Sequence, residues 1–328
     1  MRAFTVQAGG GLTLTTDRPV PDPAAGQVRV KVKATSLNAR DRLIVANNYS
    51  VDVQGRVPLS DGAGIVGAVG DGVSRFRVGD RVVGTFHPTW LYGPHTGWGE
   101  LRGTHRDGWL SDYVVLDQQS LVPIPDPLSF EEAATLPCAA LTAWSAVKGV
   151  GPGDTLLVQG SGGVSVFALQ FARLAGAHVV ATTSDADKAE RLGALGASDV
   201  VNYKETPHWG ARVRELTSGG VSRVVEIGGA RTLAQSIEAV AYGGQIALVG
   251  NLASGNGIGM DVNQFFRRAA TLRSISVGSR SEFEQMNAAI ARSGLRPVID
   301  RVFPFDQASE AVTDFERGPR FGKVVISH

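Results

Sequence analysis

Cysteine is nearly missing from this chain: Cys138 is the only one in 328 residues. A single thiol excludes an intrachain disulfide framework and any four-cysteine metal lobe. An excess of either charge is missing too. The 32 Lys and Arg against 31 Asp and Glu leave a net charge of +1, which argues against an electrostatic nucleic-acid footprint. No apolar run reaches the roughly 20 residues that span a bilayer. Met1–Gln7 lacks the apolar stretch of a signal peptide. The expectation is a cytoplasmic protein that binds neither nucleic acid nor membrane. Glycine, with 41 residues, is plentiful and punctuates strands without forming low-complexity sequence. The length suggests two domains and ample core.

The most informative stretch is residues 155–203. An apolar run, Thr155-Leu156-Leu157-Val158-Gln159, leads into the turn Gly160-Ser161-Gly162-Gly163 and a helical pattern from Val164 to Ala175. Gly176 stops the helix, and a second apolar run, His178-Val179-Val180-Ala181-Thr182, follows. Strand, tight turn, helix and strand form the unit that seats a dinucleotide pyrophosphate on a helix N-terminus. Gly160, Gly162, Gly163 and Val164 are the expected phosphate contacts, because amides approach an anion closely only where no Cβ intervenes. The third glycine of G-x-G-x-x-G is replaced by Ser165. That position governs helix–strand packing, so the serine implies slightly looser packing and leaves the anion site intact.

The first 125 residues read as all-β. Val28–Ala34 alternates with period two, and Gly64–Gly70 and Val78–Gly84 look like short barrel strands joined by tight turns. Residues 87–109 form a long polar and aromatic loop holding His87, His95 and His105, whose spacing matches no compact metal motif. Pro123, Pro125 and Pro127 mark a boundary. Beyond it come strand candidates Asp199–Asn202, Arg223–Ile227, Gln245–Val249 and Leu272–Val277, with helical patterns at Trp209–Thr217 and Ala230–Val240. Together with the first two strands they predict an α/β fold with a doubly wound parallel six-stranded sheet. A helix near Glu282–Ser293 and the strand-like Gly322–Ile326 complete the tail. The expected domains are 1–128 with 278–328, and 129–277.

Several motifs carry a family likeness: Ala34-Thr35-Ser36-Leu37-Asn38-Ala39-Arg40-Asp41, Asp61-Gly62-Ala63-Gly64-Ile65-Val66, Val78-Gly79-Asp80-Arg81-Val82 and Ala133–Trp144, besides the nucleotide turn. With them the whole chain resembles the medium-chain dehydrogenase/reductase superfamily, in particular its zinc-free, quinone oxidoreductase-like branch. The resemblance implies a GroES-like N-terminal barrel completed by the tail, a Rossmann domain and a homodimer. It also implies an oxidoreductase acting on a small molecule. Zinc alcohol dehydrogenases carry a cysteine where this chain has Asn38 and a histidine where it has Ser60; Cys138 matches the third ligand and Asp61 the neighbouring carboxylate. Asn and Ser cannot replace thiolate and imidazole, so no zinc and no other metal is expected.

Without a Lewis acid, alcohol oxidation is hard, whereas a quinone or enone is already electrophilic. The expected reaction is therefore hydride transfer from NADPH to a quinone or α,β-unsaturated carbonyl. An enoyl-thioester reductase and a largely non-catalytic NADPH-binding protein are the alternatives. By resemblance, Asn38 lines the active-site cleft and Tyr49 faces substrate, although Tyr49 also reads as a surface tyrosine. Asp41 reads as a structural acceptor more than a base. Thr142 matches a position near the nicotinamide. Gly228, Gly250 and Asn251 end strands at the carboxyl edge, where ligands bind. Ser184, Lys188 and Tyr203 match the pattern for a 2′-phosphate, which favours NADPH over NADH. Lys188 alone would equally read as an exposed lysine, and Asp185 and Asp187 lie close by.

Overall fold

The computed structural model describes residues 1–328 other than Trp98, 251–260 and Pro319. Its contacts divide the chain into two units, Met1–Leu141 with Val277–His328, and Thr142–Ser276. The division falls later than the proline cluster suggests. The residues just after the prolines are tied to the first unit: Ser36 Oγ donates to the Ala134 carbonyl at 2.8 Å, and the Cys138 amide donates to Asp61 Oδ2 at 3.1 Å.

In the first unit the long strand Gln27–Ser36 alternates buried with half-buried or exposed positions as far as Ala34, as its sequence period requires, and its last two residues are buried as well. It pairs antiparallel with Asp61–Val69, Tyr113–Asp117 and the tail strand Lys323–Ser327, and Ile299–Pro304 runs parallel to the tail strand. Val28, Val30, Val66, Val82, Leu116 and Trp109 pack the interior. The Trp109 ring lies across two glycines. A Cβ on Gly62 or Gly84 would come within 2.3 Å of it, so both positions exclude every other residue without repacking.

This unit is not all-β. A helix spans Ala39–Val45, started by Asn38 in an extended conformation, with Asp41 reaching back to accept the Asn38 backbone N–H at 2.7 Å. Seven residues are too few for a helical period to stand out in the sequence. The tail contains the helix Arg280–Ser293, which begins with a capping box between Ser279 and Glu282.

The second unit has the expected parallel sheet. Its six strands stand in the order Asp199–Asn202, His178–Thr183, Thr155–Gln159, Val221–Glu226, Val240–Leu248, Thr271–Ser274. The order reverses at the central strand, which is the switch point of a doubly wound fold. The last strand is shorter than expected, ending at Ser274, and the fifth begins earlier, at Val240. Among the described residues, no helix is long and apolar enough to cross a membrane.

Candidate active site

The tail strand brings the first group of residues together. Its register sets Val325 against Ser36 and Ile326 against Thr35. Continued toward the strand start, the register puts Lys323 beside Asn38. Lys323 is only 3% exposed, and its ammonium donates to the Leu37 carbonyl and to Asn38 Oδ1, each at 2.6 Å. Asn38 is 7% exposed.

Two carboxylates lie near this pair, and both are fully buried. Asp61 opens its strand. Its Oδ1 accepts from Ser60 Oγ at 2.9 Å and its Oδ2 from the Cys138 amide at 3.1 Å. Burial raises its pKa, and the positive charge of Lys323 opposes the shift. The Asn38 amide also favours the ionised form of Asp61, but its Nδ2 closes no hydrogen bond of normal geometry among the described residues. Asp41 accepts the Asn38 backbone N–H through one oxygen and leaves the other, Oδ1, without a hydrogen-bond partner among the described residues. Burial pushes its pKa up to about 7 against the pull of Arg40. Cys138 sits in a π-helical turn, Leu136–Ala140. Part of the residue is exposed, yet burial of the thiol, and next the Asp61 charge, hold its pKa well above the ordinary thiol value.

Tyr49 is half-buried. Its ring lies 5.5 Å from the Arg40 guanidinium and packs on Val6, Ile44 and Val53. Arg40 also sits 5.1 Å from the Phe86 ring. In the long loop, His87, Trp90 and His95 form one ring cluster with centroids 4.5–5.6 Å apart. The loop is tied down where the Arg280 and Ser281 amides donate to the Trp90 and Leu91 carbonyls.

The second group lies at the carboxyl edge of the parallel sheet. Gly160 has φ +68°, a backbone conformation that favours glycine, and a Cβ on Gly160 or Gly162 would meet only open space. Gly162 caps the helix Gly163–Leu174, whose first turn includes Val164. Ser165 corrects the expectation of looser packing. It is fully buried, and its hydroxyl donates to the Gln159 carbonyl at 2.6 Å, tying helix to strand. Asp185 caps the helix Ala186–Ala194 by accepting the Lys188 amide at 3.0 Å. Tyr203, 41% exposed, follows the neighbouring strand, and its amide donates to the Thr183 carbonyl, next to Ser184. Ser184 and Tyr203 thus flank the same strand ends, with Lys188 one turn into the helix that follows. Thr142 is buried in the helix Leu141–Ala146. Gly228 and Gly250 follow the fourth and fifth strands; Asn251 lies outside the described residues.

Two features escaped the sequence reading. Lys323 stands at the head of an apolar run, Val324-Val325-Ile326, and a lysine beside such a run was the available signal. Glu226 is fully buried at the end of its strand and accepts from Gln159, Gly228, Gly229, Thr232 and Ser236. It fixes the backbone around Gly228. An acid ending the strand Val221–Glu226 was its signal.

Comparison with known proteins then decides the family. A zinc-type alcohol dehydrogenase-like protein of Schizosaccharomyces pombe is 45% identical over 314 residues, covering 92% of this chain and 90% of the relative. The chain belongs to the medium-chain dehydrogenase/reductase superfamily. Within this superfamily, the Alcohol dehydrogenase GroES-like domain matches residues 24–126 and the Zinc-binding dehydrogenase family residues 163–292. The quinone oxidoreductase of Rattus norvegicus is 28% identical over 341 residues, covering 99% of this chain and 97% of the relative. A solved structure of a candidate alcohol dehydrogenase from Sinorhizobium meliloti has a TM-score of 0.94 at 40% identity, covering 100% and 98% of the two chains. An NAD-dependent alcohol dehydrogenase has a TM-score of 0.91 at 37% identity over the full length of both. As a member of this superfamily, the chain is a nicotinamide-dependent oxidoreductase acting on a small molecule.

Proposed function

We propose that this oxidoreductase is a zinc-independent, NADPH-dependent reductase of quinones or α,β-unsaturated carbonyls. The donor set around Asp61 carries the proposal. A catalytic zinc asks for thiolate, imidazole or carboxylate ligands. Here the Asn38 oxygen is engaged by an ammonium, the Ser60 hydroxyl by Asp61, and Cys138 is held as a thiol. Among the described residues, no group of three His, Cys, Asp or Glu is arranged to hold a metal. These residues do not fit zinc, whatever the name of the S. pombe relative says of that protein.

The residues of the second unit do fit a dinucleotide. The open space at Gly160 and Gly162, with the helix N-terminus at Gly163 and Val164, would take the pyrophosphate. Ser184, Lys188 and Tyr203 would hold the 2′-phosphate, Thr142 would lie near the nicotinamide, and Gly228 and Gly250 would line the carboxyl edge of the sheet. The Asp185 carboxylate is occupied as a helix cap, which leaves it less free to accept ribose hydroxyls and supports NADPH. The NAD-dependent enzyme of similar structure makes NADH the second reading. When bound, the reduced nicotinamide supplies a hydride.

The remaining work falls to the first unit. Charge that arrives on a substrate carbonyl oxygen would be met by the Asn38 amide. Asp41 holds the Asn38 backbone, and Tyr49 with Arg40 would bound the substrate. The proton would come from water, since reduction of a conjugated acceptor needs no base. NADPH consumption with a panel of quinones and enones tests this reading. Acceptor-dependent consumption by metal-stripped protein supports it. Tight NADPH binding with no consumption on any acceptor would replace it with the non-catalytic binding protein.

A further inference from the structure

We infer that Gln159 and Glu226 are positioning residues for the dinucleotide. Facing each other across two neighbouring strands, they lock the Gly160 turn to the Gly228–Gly229 turn, so that the crevice is set before the cofactor arrives. The inference rests on the dinucleotide reading of the second unit and adds the pair that holds the seat.

The strand order reverses at Thr155–Gln159, which lies between His178–Thr183 and Val221–Glu226. In a doubly wound sheet the ligand crevice opens at such a point, outside the carboxyl ends of the strands. The register pairs Val225 with Val158, so the next rung sets Glu226 against Gln159. Each is the last residue of its strand. Gly160 follows the one directly, and Gly228 follows the other after Ile227. A bond across this rung therefore joins the two edges of the crevice.

Both side chains are buried, Gln159 at 5% exposure and Glu226 at 0%. Gln159 Nε2 donates to Glu226 Oε2 at 2.8 Å and to Ser236 Oγ at 2.7 Å, while Gln159 Oε1 accepts the Ile227 N–H at 3.3 Å. A carboxylate only accepts and a backbone N–H only donates, so its neighbours fix which end of the amide is which. Glu226 Oε1 accepts the backbone N–H groups of Gly228 and Gly229 at 2.8 and 2.9 Å, and also the Thr232 hydroxyl. Oε2 accepts the Ser236 hydroxyl besides Gln159. One carboxylate oxygen thus shapes the turn after the fourth strand, and the other reaches the strand that feeds the phosphate turn. The main chain extends the tie. The Gln159 carbonyl accepts the Ser165 hydroxyl from the helix behind the glycine turn, and the Glu226 carbonyl accepts the Val249 amide beside Gly250.

A buried carboxylate is unfavourable unless its oxygens are satisfied, and two apolar side chains would fill the same rung without that demand. The polar pair adds direction. Hydrogen bonds hold the turn backbones to a fixed geometry, which apolar contact does not. A seat ordered in advance loses less freedom when the ligand enters. Gln159 and Glu226 act through the backbones they hold, not by touching the cofactor.

A polarity swap tests this. Glu226→Gln keeps an oxygen for the Gly228 and Gly229 N–H groups but turns an NH₂ group toward that of Gln159. Gln159→Glu alone sets two carboxylates face to face. Together the two substitutions restore an amide–carboxylate contact with its direction reversed. Dissociation constants for NADPH and NADH are read by fluorescence titration, beside thermal unfolding of the cofactor-free protein. Each single variant is expected to weaken both cofactors alike, by roughly tenfold or more, as for a lost bond to a charged group. The double variant should recover most of that loss. Unchanged dissociation constants in single variants that merely melt earlier would show a purely structural pair and overturn the inference. Losses that multiply in the double variant would overturn it too.

Thr232→Val is the milder variant if a single swap fails to fold. It removes one donor to Glu226 Oε1 from a half-buried position. It should weaken both cofactors in the same direction, and unchanged constants would again overturn the inference. Wild-type protein that binds neither cofactor would sink the dinucleotide reading itself. Wild-type binding with indifferent variants would sink the inference alone.

Discussion

The Lys323 ammonium stands 2.6 Å from Asn38 Oδ1, although 285 positions separate the two residues in the chain. A returning tail strand closes that distance, and it sets a cation against the position where zinc alcohol dehydrogenases carry a cysteine ligand.

Purified protein should contain well under one zinc per chain by elemental analysis, when prepared without chelator. Prolonged chelation should leave turnover unchanged. An amide, a hydroxyl and a protonated thiol are poor zinc ligands, and the nearby ammonium repels a second cation. One tightly held zinc whose removal abolishes activity would contradict the account.

Lys188→Ala should weaken NADPH binding by about 1–3 kcal/mol, as for loss of a charge-assisted phosphate contact. NADH affinity should barely move. Titration by fluorescence with both cofactors checks this. Equal losses would mean that Lys188 does not read the 2′-phosphate.

Asp41 predicts a pH dependence of stability. Its folded pKa, about 7, lies above the ordinary 3.8. Between those values the folded state keeps a proton that the unfolded state loses, so stability falls as pH rises from about 4 to about 7. The contribution is fully present below that window and gone above it. Asp41→Asn stays neutral and still offers an oxygen to the Asn38 N–H. It should match wild type near pH 4 and exceed it at pH 8, by a few kcal/mol at most. Denaturant melts at the two pH values make the comparison. A variant equally destabilised at both would show that Asp41 is ionised throughout.

Much of the fold was legible in the sequence. The strand–turn–helix–strand run at 155–183 stands out because glycine position and apolar period agree. The six parallel strands follow from the same periods, with ends misjudged by several residues, as at Val240 and Ser274. The Ala39–Val45 helix was hidden by its shortness. Ser165 looked like a defect because the hydroxyl bond to Gln159 depends on a geometry that only the packed helix supplies. In the first unit, Asn38, Asp41, Asp61 and Cys138 were each visible as residues of interest. Their meeting with Lys323 was not, because strand register across nearly the whole chain leaves no local trace. Tyr49 was singled out by resemblance alone, and its contacts, to Arg40 and a small apolar cluster, have no local signature in the sequence.

The protein is expected to be a homodimer through the sheet edge of the second unit. Among the described residues, Thr271–Ser274 pairs on one side only, and the unit exposes Tyr242, Val262 and Phe266. Such an edge is a ready template for two-fold pairing. Light scattering at micromolar concentration should give twice 34.5 kDa, and Leu272→Glu should shift the mass toward monomer. A monomer mass for wild type would rule this arrangement out.

The most direct test of the reductase reading is parallel turnover of metal-stripped enzyme on a quinone, an enone and a primary alcohol, with NADPH for reduction and NADP⁺ for oxidation. Alcohol oxidation must take a proton from a hydroxyl that no metal acidifies, whereas a conjugated acceptor needs only hydride and a donor for its oxygen. The account predicts turnover on the quinone or the enone, little on the alcohol, and no response to added zinc. Fast alcohol oxidation that is lost on stripping and restored by zinc, with sluggish reduction of both acceptors, would contradict it.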